Sequence, residues 1–129
     1  MSARQEGLIL VCLLLLVSFI FQLQMKLLAN DIAPILKIAD QGFMDKIARL
    51  AGIALSWRAW LIAALAATLF CVWLLTLTRL ELSLALPLAS VAMVVNAVGV
   101  GIMLGEPMSL LRFTGIITVA IGIVLVLKT

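Results

Sequence analysis

The chain has 129 residues, 66% hydrophobic and only 12% charged, with a mean hydropathy of +1.34. Soluble domains carry about 25% charged residues and far fewer apolar ones, so this composition defines a membrane protein. The formal net charge of +3 comes from dispersed basic residues and gives no patch for nucleic acid, and without His there is no His-based zinc site, thiol–imidazole pair or Ser-His-Asp triad.

The first apolar segment spans residues 8–25 and is preceded by "MSARQEG". No small-x-small cleavage site follows it and no lipobox leads into Cys12, so it reads as a retained transmembrane helix rather than a signal peptide. Its end, "VSFIFQLQMK", carries Ser18, Gln22 and Lys26 four residues apart, on one helical face. Two readings are open. Lys26 snorkels to the headgroups, as lysines at helix ends do, or the stripe of hydroxyl, amide and ammonium binds a phosphate at interface depth. Gln22 lies a turn deeper than Lys26 and needs a partner, whereas Gln24 points elsewhere.

Residues 27–58 form the first connection and hold seven of the 15 charged residues. Within it Leu36, Ala39, Phe43, Ile47 and Leu50 recur at spacings of three and four, an amphipathic pattern broken at Gly42. The pattern suits a helix lying in the interface, with a gate as the alternative. Asp31 and Asp45 are the expected N-caps. Trp57 and Trp60 flank Arg58, as in an aromatic belt with a snorkelling cation.

Three further apolar segments follow at 59–78, 82–104 and 110–127, each near the ~20 residues that cross a ~30 Å hydrocarbon core. The links at 79–81 and 105–109 are short, so these helices are antiparallel neighbours, with Gly105 fit for a C′ position and Pro107 preventing continuation. Lys26, Lys37, Lys46, Arg49, Arg58 and Arg112 fall on one side and Arg4, Arg79 and Lys128 on the other, which places both termini outside.

No Asp or Glu lies within the four spans; the acids are Glu6, Asp31, Asp40, Asp45, Glu81 and Glu106. Proton-coupled export of organic cations usually needs an embedded carboxylate, and the spans lack one. Asn96 lies mid-span, where an amide needs a partner: an interhelical hydrogen bond or a substrate. Ala85, Ala89, Ala92, Asn96 and Gly99 share one face of the third span, and Gly115, Thr118 and Gly122 make a small-residue stripe on the fourth. Such stripes bring backbones close, within a protomer or across an oligomer. Four short helices enclose little space, so a dimer is the expected unit.

These residues resemble the four-helix, small-multidrug-resistance-like branch of the drug/metabolite transporter superfamily, and are most similar to subunits of the undecaprenyl-phosphate-aminoarabinose flippase. "FQLQMK" is similar to that branch's Gln followed four residues later by Lys. "VWLLTLTRLELSLALPLASVAMVVNAVGVGIMLGEPMS" is similar in its Trp-Leu-Leu, its Pro87 followed by Ser90 and its Gly-Glu-Pro-x-Ser turn, and "GIITVAIGIVLVL" in its Gly-containing fourth helix. The resemblance covers residues 10–28 and 60–127. Ser18 stands where the drug-exporting members carry a Glu, and Ala85 and Leu88 where they carry aromatics. Leu86 replaces the Tyr that often precedes the proline in the flippase-like branch.

The resemblance implies an all-α integral membrane protein of four transmembrane helices in a small-multidrug-resistance-like bundle, sited in a bacterial inner membrane. It implies a homodimer, or a heterodimer with a similar small subunit, that moves a polyprenyl-phosphate-linked sugar. Lys26 and Gln22 would hold the phosphate, and Ser18, Ser90 and Asn96 the headgroup, while Gly99, Gly115 and Gly122 would serve helix packing or the oligomer. No cofactor, metal or enzymatic activity is expected. The alternatives are a small-molecule or metabolite exporter of the same superfamily and a non-transporting partner of a glycosyltransferase.

Overall fold

In a computed structural model, which describes residues 2–38, 40 and 42–129, the chain forms five helices. They are α1 (Ala3–Lys37), α2 (Phe43–Ala54), α3 (Trp57–Arg79), α4 (Leu82–Met103) and α5 (Leu110–Lys128), and no strand occurs among the described residues. Four of them, α1, α3, α4 and α5, are long and apolar enough to cross a membrane, which makes this a multi-pass membrane protein.

Helix α1 runs past the expected span end at Met25. Its 35 residues reach about 52 Å at ~1.5 Å per residue, well beyond a ~30 Å hydrocarbon core. Hydropathy falls after Met25, but helicity does not follow hydropathy. Leu28, Ile32 and Ile35 repeat at helical spacing and are half-buried, on the stretch of α1 that continues beside α2 and α3. Asp31 therefore lies inside α1 rather than capping a helix, and its carboxylate accepts from the Arg58 guanidinium at the start of α3. Asp45 likewise sits in the first turn of α2, whose N-cap is Gly42. The side chains that do cap are serines: Ser2 in a capping box with Gln5, Ser56 before α3 and Ser109 before α5. Of the expected apolar pattern, Phe43 and Ile47 are exposed and Leu50 is half-buried, while Ala39 lies outside the described residues.

The turn after α4 forms as the sequence leads one to expect. Gly105 has φ +63, its N–H donates to the Ile102 carbonyl, and the Glu106 N–H donates to the Gly101 carbonyl. That is a Schellman closure, and it fixes Glu106 one residue beyond the reversal.

Helix α1 is the hub, packed on α3 and on α4, while among the described residues α5 touches α4 alone. The best-packed region lies near the N-terminal end of α1, where Val11, Leu80 and Ala85 are buried together. A Cβ at Gly7 would come within 2.8 Å of Leu80, so α1 and the end of α3 meet closely there. Glu6 pairs with Arg79 at 3.0 Å across the same end. Toward the other end α1 and α4 flank an open cavity.

Candidate functional site

Helical geometry places Ser18, Gln22 and Lys26 on one stripe of α1, and the fold lays that stripe against α4. The opposing wall is the small-residue face of α4: Ala85 and Ala92 are buried, and Gly99 meets the Phe19 ring so closely that a Cβ there would sit 2.5 Å from Cε2. Gly99 thus serves packing inside the protomer. Beside this contact the helices flank an open cavity of about 490 Å³, lined by Ser18, Gln22, Lys26, Asn96 and Glu106 together with apolar residues of α4.

The polar groups differ in how well they are satisfied. The Ser18 hydroxyl donates to the Leu15 carbonyl at 2.9 Å, which leaves its lone pairs to accept from Asn96 Nδ2 at 3.4 Å. Asn96 Oδ1 is buried and has no donor among the described residues. A buried acceptor without a donor costs about 1–3 kcal/mol, so this atom offers a place for a ligand hydroxyl or a water. Gln22 makes no hydrogen bond among the described residues and keeps its amide free beside Lys26.

Lys26 is held. Its Nζ lies 2.9 Å from Glu106 Oε1, with side-chain exposures of 45% and 42%. The sequence assigns Glu106 to a turn outside the spans and reads the membrane core as free of carboxylates; the fold brings this carboxylate back onto α1 and into the cavity. The only sequence signal for it was the Gly105 reversal, which fixes where the next residue goes but not what it meets.

Ser90 does not join the site. Its hydroxyl donates to the Leu86 carbonyl of its own helix at 3.0 Å, and it lines a separate groove between α4 and α5. Gly115 borders that groove, and a Cβ at Gly115 or Gly122 would meet nothing within 4 Å, so neither glycine mediates close packing within this protomer.

The described residues contain no group of three or more His, Cys, Asp or Glu side chains arranged to hold a metal ion. What the cavity offers instead is one cation, one anion and neutral donors and acceptors. Such a set can bind a phosphate through Lys26 and Gln22 and hydroxyls through Ser18 and Asn96. The chain matches no protein-family model, no curated protein and no solved structure.

Proposed function

We propose that the protein is a subunit of a flippase or exporter that moves a polyprenyl-phosphate-linked sugar across a bacterial inner membrane, working as a homodimer or heterodimer. One observation carries the reading: Ser18, Gln22, Lys26 and Asn96, from two helices 78 residues apart in the chain at the Ser18–Asn96 bond, line a single cavity. The phosphate sits against Lys26 and Gln22. The sugar lies deeper, where Asn96 Oδ1 accepts a hydroxyl and Ser18 orients the amide. The tail stays in the bilayer, and rocking of one bundle against the other opens the cleft to alternate sides. The amphipathic α2 lies in the interface beside the projecting end of α1.

Transport of an undecaprenyl-phosphate-linked sugar in proteoliposomes tests this. A charge-assisted hydrogen bond contributes about 1.5–3 kcal/mol, so Lys26→Gln should slow transport by about 10- to 100-fold. Lys26→Gln/Glu106→Gln, which leaves no orphaned carboxylate, should be equally slow. Full transport by the double variant would remove the phosphate site.

A second reading draws on Glu106. With a carboxylate in the cavity, the chain has a counter-ion for a cationic solute, which favours the exporter alternative more than the sequence does. The two readings diverge on Glu106→Gln: it spares transport of a phosphate-linked lipid and abolishes that of a cation.

A further inference from the structure

The cavity at Lys26 does not end at α4. Met93 and Ala97 line it, and the same two residues line the groove of about 540 Å³ on the α5 side of that helix. The chemistry changes across this ridge. On the α1 side stand the ammonium, the carboxylate and the amides; on the α5 side the wall is mostly apolar, with Ile116 and Ile123 along it, the Ser90 hydroxyl bonded to its own helix and Arg112 at one end.

We infer that the α4–α5 groove holds the hydrocarbon tail of the same lipid whose phosphate sits at Lys26, a reading that rests on the phosphate site proposed above. Continuity is the first argument. Met93 and Ala97 border both spaces; Ala97 is small, and Met93 is 73% exposed and carries a flexible, unbranched side chain that can swing aside. Charge is the second. Arg112 is exposed and has no ion-pair partner among the described residues. It lies in the first turn of α5, where the helix dipole disfavours a cation, so helix stability does not explain it. The turn that carries Glu106 leads straight into that helix, which sets Arg112 at the same membrane face as Lys26. A lipid entering there has cations near its head, with its tail directed toward Ile123.

Mobility is the third argument. Helix α5 has no buried residue and, among the described residues, packs only on α4, so the groove can widen without breaking contacts to α1 or α3. From Arg112 to Ile123 it follows α5 for about 16 Å at ~1.5 Å per residue, roughly half of a ~30 Å hydrocarbon core. The first units of a long tail fit within it and the rest emerges into the bilayer.

The test compares two probes on the purified full-length protein in detergent: undecaprenyl phosphate, with a long tail, and isopentenyl phosphate, with a very short one. A Cβ at Gly115 meets nothing, so Gly115→Phe fills the groove without a backbone clash, and Ala97→Phe blocks the ridge. Both should weaken undecaprenyl phosphate by about tenfold or more, the loss expected when a few methylenes are kept out of an apolar site, and leave isopentenyl phosphate within about twofold. Ile121→Phe, on an exposed part of α5 outside the groove, should change neither. Unchanged undecaprenyl phosphate binding in both groove variants, with Lys26→Gln still abolishing it, overturns the tail site and leaves the phosphate site standing. If Lys26→Gln has no effect on either probe, the phosphate site falls and the tail inference with it. A shift in oligomeric mass for Gly115→Phe without a change in lipid binding assigns the groove to a second copy of the chain, and overturns the inference as well.

Discussion

Glu106 competes with any anion for Lys26, and Glu106→Gln isolates that competition. The pair is 2.9 Å apart with both side chains a little under half exposed. Exposed pairs contribute about 0.2–1 kcal/mol, and the close 2.9 Å contact puts this one at the upper end. A phosphate that takes Lys26 must first break the pair, so removing the carboxylate returns that energy to binding. About 1 kcal/mol corresponds to roughly fivefold tighter binding. Glutamine keeps the shape and leaves folding almost unchanged. The measurement is undecaprenyl phosphate binding to wild type and Glu106→Gln at low and high salt. Added salt should shrink the difference, because screening weakens the Lys26–Glu106 pair. A change of less than about twofold at low salt, or weaker binding in the variant, would refute the competition. Weaker binding would instead make Glu106 a ligand in its own right, as the cation-export reading requires.

Gly99→Val should destabilise the protein by about 1–3 kcal/mol, because its side chain must displace the Phe19 ring. Phe19→Ala should recover much of that loss in thermal melting followed by size exclusion, and no recovery would place the clash elsewhere. Asn96→Leu should cost less than about 1 kcal/mol, since its one hydrogen bond is 3.4 Å long and Oδ1 is already unpaired, yet should slow lipid transport. A stability loss above about 2 kcal/mol with normal transport would make Asn96 a packing residue only. Gly105→Ala should cost about 1–2 kcal/mol because φ is +63, with Gly105→Asn milder; equal melting temperatures for both and wild type would contradict that backbone.

Much of the fold is legible in the sequence because lipid imposes it. Runs of about twenty apolar residues can satisfy their backbone in a membrane only as helices, and α3, α4 and α5 cover the three later runs nearly end to end. The reversal at Gly105 is equally local, since only a residue tolerant of positive φ suits it. The end of α1 is not legible, because hydropathy reports where a chain meets lipid and not where its helix stops. Helix α1 continues to Lys37 with Leu28, Ile32 and Ile35 half-buried along it, and Asp31 becomes a partner for Arg58 rather than the expected cap.

For the site, periodicity alone puts Ser18, Gln22 and Lys26 on one face, and composition alone marks Asn96 as an amide in need of a partner. Only the tertiary structure decides that these two features face each other, that Ser90 turns away toward α5, and that Glu106 closes on Lys26. The physical reason is range. Helical phase and transfer into lipid act within a few residues of the chain, whereas the meeting of Lys26 with Glu106 depends on how α1 and α4 pack and on where one turn releases the chain.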